Sequence, residues 1–333
     1  MMLGITKIAF ALVALTASPA AAAAPAAPGS LRWVKTRSAA AAPGAGAIAR
    51  VGGDELKPVD AVLLAARGGV VKAPPGLYAN AVEVGAKKAT GKPADTLLLG
   101  IVSGFHIGFG GLLAITVGGS IPAIKSANPG LQKLLFGLFG LPFGLFMVLV
   151  AGGELFTGNT ALVTAALIEG KATIRRDATD ATDNWCFSWI GNLVGSVLLA
   201  KLVMLAGINA APGTATAIAV SKVATPCCQT FLKGIICNWM VCMAVWVASG
   251  ASSLTEKYLA MILPVSAFVA FGAEHSVANM FLLPLGMFSG ASDTVRWTDI
   301  FIKNILPVTL GNIFGGVVFQ TLPYAAVYGS LLK

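Results

Sequence analysis

The nine residues "GAEHSVANM", Gly272 to Met280, decide the fold of this chain. They place a carboxylate (Glu274), an imidazole (His275) and a carboxamide (Asn279) between the apolar runs "YLAMILPVSAFVAFG" and "FLLPLGMFSG". Polar groups are costly at the depth of a lipid bilayer, where no water satisfies them. Three such groups in one apolar segment therefore need a structural or a functional reason.

The whole chain is strongly apolar. Of its 333 residues, 56% are hydrophobic and 11% are charged, and the mean hydropathy is +0.81. These values lie outside the range of soluble globular domains and predict an all-α polytopic membrane protein. The net charge of +9 does not indicate a nucleic-acid partner, because the basic residues are spread singly along the chain. The five cysteines form no CxxC motif, and we interpret them as small buried apolar side chains.

Hydrophobic segments follow Lys92 at 96–118, 133–168, 185–208, 229–250, 258–290 and 304–330. A bilayer core about 30 Å thick takes about 20 helical residues. The second and fifth segments are too long for one crossing and too short for two crossings with a turn. Each also has polar residues near its middle. We therefore expect six transmembrane helices, of which the second and fifth are broken, with the irregular backbone buried in protein.

An internal repeat relates the two halves of the chain at a constant offset of 120 residues. The identical pairs are Glu154 and Glu274, Asn159 and Asn279, Asn184 and Asn304, Gly191 and Gly311, Asn192 and Asn312, and Gly195 and Gly315. Each half, about 96–208 and 229–330, holds three spans, so the second half must enter the membrane from the opposite side. The sequence thus predicts an inverted 3+3 repeat. The repeated glycines predict close helix packing.

The symmetric pairs at the two breaks are interpreted first as structural. Glu154 and Glu274 are expected to accept hydrogen bonds from backbone amides that are freed where the helices break. Asn159 and Asn279 are expected to support the same breaks. A direct role of the two carboxylates in transport is the alternative.

The two histidines receive different interpretations. His275 has no polar counterpart, because Leu155 stands at the equivalent position of the first half. A histidine can carry or give a proton near neutral pH, so we expect His275 to act in a pore. His106 lies in the first span among small residues, in "SGFHIGFG", and packing is the favoured interpretation for it.

The N-terminal residues are predicted to be targeting sequence and not part of the fold. Residues 1–50 hold the apolar run "IAFALVAL", the small-residue stretch "TASPAAAAAP" and then a segment rich in Ala, Ser and Arg. A signal peptide followed by transit-like sequence predicts import into a plastid bounded by extra membranes; a tail after a signal peptide, with the protein in the plasma membrane, is the alternative. Segment 51–95 is predicted to hold a short amphipathic helix at the membrane interface, with Leu77, Tyr78, Ala81, Val82 and Gly85 on one face. Residues 96–330 form the predicted transporter domain.

Four motifs in order along the chain carry a resemblance to a known family. They are "GGELFTGNT", "KGIICNWMVCMAVW", "FGAEHSVANMFLLPLGM" and "IKNILPVTLGNIFGG". Over about residues 75–330 the chain resembles the formate/nitrite transporter family, and within it the algal plastid-envelope members associated with nitrite and bicarbonate. The resemblance implies an aquaporin-like fold and a homopentamer in the lipid bilayer, with a separate pore in each protomer and neither a cofactor nor a metal.

The resemblance also assigns roles to particular residues. It places a hydrophobic constriction at Leu145, Leu155, Phe156, Val241 and Phe268. It places the polar substrate pore at His275, Thr157, Asn238 and Lys222. His106 departs from the family, whose members usually have an apolar or aromatic residue there.

The function expected from the sequence is a channel or transporter for small monovalent anions, most of all nitrite, bicarbonate or formate-like weak-acid anions. Vestibule lysines, Lys222 foremost, would concentrate the anion, and His275 would offer it positive charge or a proton between two apolar rings. A water or glycerol channel is an alternative, but it needs two Asn-Pro-Ala motifs, and "ANPG" occurs once, outside both breaks. The other alternative is an intramembrane enzyme or metal site that uses Glu and His, although the chain has only two histidines.

Overall fold

The computed structural model describes residues 50–51, 54–55, 72–173, 180–209 and 211–333. Apart from Arg50, the predicted targeting segment 1–50 lies outside the described residues, as does most of 51–71. A short ladder pairs β1 (Arg50–Val51) with β2 (Asp54–Glu55) in antiparallel fashion. This ladder belongs to a unit, Ser18–Val71, that is separate from the helical unit described below.

From residue 72 onward, the described chain is helical. The helices are α1 (Pro74–Ala89), α2 (Pro93–Gly118), α3 (Pro122–Ala127), α4 (Pro129–Leu138), α5 (Leu141–Ala151), α6 (Phe156–Ile168), α7 (Asp180–Leu205), α8 (Pro212–Ala224), α9 (Cys227–Ala248), α10 (Leu254–Phe271), α11 (Ser276–Ala291) and α12 (Trp297–Tyr328). The end of α11 and two stretches of α12, Ile300–Ile305 and Gly315–Thr321, are wound as π-helix.

Six helical segments of the described chain are long and apolar enough to cross a membrane. They are α2, α4 together with α5, α7, α9, α10 and α12. The prediction of an all-helical chain with six membrane-capable helices is confirmed.

Local sequence signals mark the helix boundaries next to the site. Helix α10 begins with a capping box between Ser253 and Glu256, and it ends at Gly272 in the left-handed conformation, with φ of 73°. Helix α11 then begins after His275. In the first half, α5 ends before Gly152, whose φ is 91°, and α6 begins at Phe156. The hydrophobic segments 133–168 and 258–290 are thus each divided into helices, at 152–155 and at 272–275.

Helix α1 packs on α6. Its residues Tyr78, Ala81 and Gly85 are buried, and a Cβ on Gly85 would overlap the backbone carbonyl of Leu162. The face that the sequence assigned to the membrane interface is therefore covered by protein. The amphipathic pattern of α1 reflects this packing, because a glycine is needed where two helix backbones approach so closely.

The repeated glycines bring the long helices into close contact. A Cβ on Gly191 or Gly195 of α7 would overlap backbone atoms of α2, and a Cβ on Gly311 or Gly315 of α12 would overlap backbone atoms of α9. The predicted close packing at these glycines is confirmed. At the junction of the halves, the indole Nε1 of Trp189 donates to Thr309 Oγ1 over 3.1 Å, and these two residues are 120 positions apart.

Candidate functional site

A buried polar network surrounds Glu154 at the first break. Its Oε1 accepts a hydrogen bond from Lys88 Nζ at 2.8 Å. Its Oε2 accepts from the amide nitrogens of Asn159 at 2.7 Å and Asn184 at 3.1 Å. The Asn159 amide also donates to Asn184 Oδ1 at 2.9 Å. The carboxylate is therefore charge-paired and hydrogen-bonded on both oxygens, which makes its burial tolerable.

The second break holds the same network around Glu274, whose side chain is 4% exposed. Its Oε2 accepts from Lys222 Nζ at 2.8 Å, from Asn279 Nδ2 at 2.6 Å and from Asn304 Nδ2 at 3.3 Å. The Asn279 amide donates to Asn304 Oδ1 at 2.8 Å. Every polar side chain of one network thus has a counterpart of the same type in the other.

At each break an asparagine, and not the glutamate, accepts from the first amide of the helix that follows. Asn192 Oδ1 accepts from the Phe156 amide at 2.9 Å, and Asn312 Oδ1 accepts from the Ser276 amide at 2.9 Å. Asn192 Nδ2 also donates to the carbonyls of Gly100 and Glu154, at 2.8 and 2.9 Å. The role predicted for the glutamates was wrong in this respect. A carboxamide both donates and accepts, so it can join an amide to two carbonyls, whereas a carboxylate only accepts.

His275 caps helix α11. Its Nδ1 accepts a hydrogen bond from the Ala278 amide at 2.9 Å, so that nitrogen carries no proton and the ring is neutral. Its Nε2 then carries the proton and donates to Thr157 Oγ1 at 3.0 Å. The ring stacks on Phe268, with centroids 6.0 Å apart and an interplanar angle of 14°. The imidazole is thus held on both nitrogens and on one face.

A small central chamber lies beside this imidazole. Its volume is about 10 Å³, which leaves space for roughly one water molecule. The walls are formed by Ile107, Leu141, Leu145, Leu155, Val241, Val265, Phe268 and His275. The structure therefore brings together four of the five predicted constriction residues with the predicted histidine, and it adds three apolar residues that sequence reasoning missed.

Two further cavities, called vestibules below, have the Lys–Glu pairs in their walls. The first vestibule is a cavity of about 620 Å³ whose walls include Lys88, Val148, Glu154 and Val245. The second vestibule consists of an inner part of about 260 Å³ and an outer part of about 560 Å³. The inner part shares Leu141, Phe268 and His275 with the central chamber. The first vestibule shares no wall residue with the chamber. Its residues Val148, Glu154 and Val245 follow or precede the chamber residues Leu145, Leu155 and Val241 by one to four positions along the chain.

Two predicted pore residues lie elsewhere. Phe156 is buried against Trp185 in an edge-to-face contact, with centroids 6.2 Å apart, and does not belong to the chamber walls. The amide nitrogen of Asn238 lies within hydrogen-bonding distance of Thr157 O, Thr160 Oγ1 and Asn312 O, at 3.1, 2.9 and 2.7 Å. This amide holds the backbone next to Thr157. The resemblance placed Asn238 in the substrate pore, but Asn238 is not among the wall residues of the chamber or of either vestibule.

His106 lies on α2, apart from the chamber and both vestibules. It is half-buried, and its Nδ1 has no hydrogen-bond partner among the residues that the structure describes. The two histidines do not converge on one site. Within residues 72–173, 180–209 and 211–333, no group of three His, Cys, Asp or Glu side chains is arranged to hold a metal ion.

Helix α1 is fixed at both ends, and it forms part of the first vestibule. Near its start, Tyr78 Oη donates to Glu169 Oε1 at 2.7 Å, and the same oxygen accepts from the Ser330 amide at 2.8 Å. Burial, and then the Glu169 carboxylate, raise the pKa of Tyr78 well above its usual value. Near its end, Lys88 reaches Glu154. The first vestibule therefore depends on a helix that the predicted transporter domain, 96–330, did not include.

Sequence reasoning also missed the role of Lys88, and a change of offset explains why. Lys88 and Lys222 bind equivalent glutamates, but they are 134 residues apart, as are Gly100 and Gly234, whose carbonyls accept from equivalent asparagines. The glutamates and asparagines themselves are 120 apart. The difference of 14 residues falls between α2 and α5, where the first half carries the additional helix α3. At the offset of 134 residues, Ala81 and Lys88 of α1 fall on Ala215 and Lys222 of α8.

A family model and the sequences of known proteins both match this chain over most of its length. The family model "Formate/nitrite transporter" matches residues 75–326. The chain is 38% identical over 251 residues to a probable formate transporter of Methanothermobacter thermautotrophicus, covering 70% of this chain and 88% of that protein. It is 36% identical over 253 residues to the nitrite transporter NirC of Salmonella typhimurium, covering 74% and 87%.

Two solved structures of channel proteins are similar to this chain over about three quarters of its length. An "FNT family ion channel" is similar with a TM-score of 0.66 and 33% identity, over 75% of this chain and 96% of that one. A "pentameric formate channel with formate bound" is similar with a TM-score of 0.61 and 32% identity, over 74% and 99%.

Proposed function

This chain belongs to the formate/nitrite transporter family, and from that premise we propose that it is a transmembrane channel or transporter for small monovalent anions. The expected substrates are nitrite, formate and bicarbonate, of which the first two appear in the names of relatives. The matched relatives are described as transporters and channels, so an enzymatic activity is not proposed.

The observation that carries the proposal is the central chamber. Apolar side chains enclose a space of about 10 Å³ beside His275, and the second vestibule, which has lysines in its walls, shares three wall residues with this space. The first vestibule also has lysines in its walls and lies next to the chamber residues along the chain. A space of this size and polarity excludes hydrated ions, because an anion must lose most of its water to enter. Passage then requires a group in the chamber that replaces part of the lost hydration.

His275 is the group proposed for this role. Since Nδ1 accepts from the Ala278 amide, the neutral ring offers one N–H, on Nε2, which Thr157 accepts in the absence of an anion. A carboxylate or nitrite oxygen in the chamber would accept from this pair. Giving up a proton would first require an imidazolium, and forming one would displace the Ala278 amide from Nδ1. We therefore propose that His275 acts mainly as a hydrogen-bond donor, and not as the source of positive charge that the sequence suggested.

The matched networks support an inverted repeat of two three-span halves, in which the second and fifth spans are broken. Glu154, Asn159 and Asn184 make the same contacts as Glu274, Asn279 and Asn304. Trp189 and Thr309, which are equivalent by sequence, contact each other, and this places them close to the axis that would relate the halves. In such a fold the substrate path runs between the two repeats near the midplane.

Assembly and location form the remainder of the proposal. The similar formate channel is described as pentameric, which supports a homopentamer with one pore in each protomer. A plastid envelope, as in algae, is proposed from the signal and transit-like sequence of residues 1–50.

Uptake by the purified protein in proteoliposomes tests the function. Labelled formate, nitrite and bicarbonate should enter faster than in protein-free vesicles, and chloride should not, with flux compared across pH. His275→Phe should lower the uptake by about 10- to 150-fold. Uptake at the protein-free rate for all three anions, or an unchanged rate in His275→Phe, would refute the proposal.

A further inference from the structure

Lys125 stands where the inner and outer parts of the second vestibule meet. Helix α3 carries this residue, and its side chain belongs to the walls of both parts. The walls that the two parts share are formed by Lys125, Thr214, Ile218, Lys222 and Gly272. An anion that moves from the outer part towards His275 therefore passes Lys125 and Lys222 at this junction, whereas Lys233 lines the outer part alone and Lys133 the inner part alone.

Only one of these two lysines is free of an acidic partner in the described part of the chain. Lys222 donates to Glu274 at 2.8 Å, and that carboxylate neutralises its charge. Lys125 forms no ion pair with any described residue, and Glu274 is the acidic residue in the vestibule walls. Since a neutralised pair has little long-range field, the charge that an arriving anion meets at this junction is that of Lys125.

The backbone on both sides of α3 is held in place. Thr214 Oγ1 donates to the Gly119 carbonyl at 3.0 Å, and Gln132 Nε2 donates to the Gly118 carbonyl at 2.7 Å. Asn128 accepts from the Leu131 amide at 3.0 Å and caps the helix that follows. The residues that flank α3 are thus hydrogen-bonded to α8 and α4.

This arrangement has no counterpart in the other vestibule. Helix α3 falls in the 14-residue difference between the halves, so the first vestibule lacks an equivalent of Lys125. The walls of the first vestibule carry four lysines (Lys87, Lys88, Lys92 and Lys257) and two carboxylates (Asp95 and Glu154). The walls of the second vestibule carry four lysines (Lys125, Lys133, Lys222 and Lys233) and one carboxylate, Glu274, so their net charge is one unit more positive. The two entrances therefore differ in how strongly they attract an anion.

We propose that Lys125 is the residue that captures the substrate anion in the second vestibule and raises its occupancy next to His275. The inference rests on the proposed anion transport and assigns to Lys125 the role that the sequence assigned to Lys222. The ligand class is a small monovalent oxyanion or carboxylate. Capture is electrostatic, so Lys125 affects how often the anion reaches the chamber and not how fast it crosses it.

Formate uptake by Lys125→Gln in the full-length protein tests this. At low ionic strength we expect an increase in KM of about two- to fivefold with an unchanged maximal rate, as for one unit charge acting across a solvated cavity. The difference in KM between Lys125→Gln and wild type should vanish in about 0.5 M salt, because charges are then screened beyond a few ångströms. Lys125→Arg should keep the wild-type KM. Lys171→Gln, at an exposed lysine outside the walls of both vestibules, serves as the matched control.

The outcomes separate this inference from the proposed function. If wild-type vesicles take up no formate, the proposed function fails and the inference fails with it. If wild type transports formate and Lys125→Gln has the wild-type KM at low salt, only the inference is overturned. A change in maximal rate that Lys125→Arg does not rescue would mean that the side chain is structural, and this also overturns it.

Discussion

Replacing His275 with asparagine separates the two contacts of the imidazole. Asparagine is among the best N-cap residues, so its side-chain oxygen should accept from the Ala278 amide as Nδ1 does at 2.9 Å. It cannot supply the Nε2 proton that reaches Thr157 at 3.0 Å. His275→Phe removes both contacts. The pair of variants therefore distinguishes the cap of α11 from the donor in the chamber.

The magnitudes follow from these contacts. Loss of a cap costs about 0.5–2 kcal/mol, so His275→Phe should lower the free energy of unfolding by that amount, whereas His275→Asn should stay within about 0.5 kcal/mol of wild type. A hydrogen bond to a charged group is worth about 1.5–3 kcal/mol. At about 1.36 kcal/mol per tenfold change in rate, both variants should lose about 10- to 150-fold in anion flux.

Two measurements on the same preparations check this. Labelled formate uptake in proteoliposomes gives the flux, and unfolding in detergent followed by tryptophan fluorescence gives the stability. Thr157→Val serves as a second perturbation, because it removes the acceptor and leaves the ring and its cap in place. We expect it to lower flux by less than His275→Asn does.

A stable His275→Asn protein that transports formate within threefold of the wild-type rate would refute the argument, since no imidazole N–H would then be needed. An unfolded His275→Asn protein would show instead that the cap geometry has been misjudged.

Three further predictions concern the framework. Asn192→Leu and Asn312→Leu should each lower the free energy of unfolding by about 1–3 kcal/mol, because each leaves a buried helix-start amide unpaired; clearly unequal losses would contradict the matched networks. Gly85→Leu should displace α1 from α6 and expose it to limited proteolysis, while Gly76→Leu, at a more open position of α1, should not. The pKa of Tyr78 is raised in the folded protein. The stability that its proton contributes is therefore complete below about pH 10, the pKa of an unfolded tyrosine, and declines above that pH. The unfolding temperature should fall less steeply above about pH 10 in Tyr78→Phe than in wild type.

Much of the fold could be predicted from the order of residues alone. Hydropathy along the chain is a local property, so the membrane class and the six apolar segments follow from windows of about 20 residues. The polar residues at 152–159 and 272–279 mark the two places where α5 gives way to α6 and α10 to α11. The 120-residue offset identified the asparagines and glutamates that the two networks share, because repeated residues are visible without any coordinates.

The partners of those residues were decided by the tertiary structure. The sequence identified Glu154 and Glu274 as a pair but assigned them backbone amides, which Asn192 and Asn312 bind instead. The offset also hid Lys88, because helix α3 shifts the spacing in the first half.

Residues far apart in the chain meet in the chamber and at its edge, as His275 and Thr157 do across 118 positions. Composition and periodicity report on single segments. Which side chains of different segments touch depends on how the helices pack, so the neutralised charge of Lys222 and the free charge of Lys125 could be distinguished only in three dimensions.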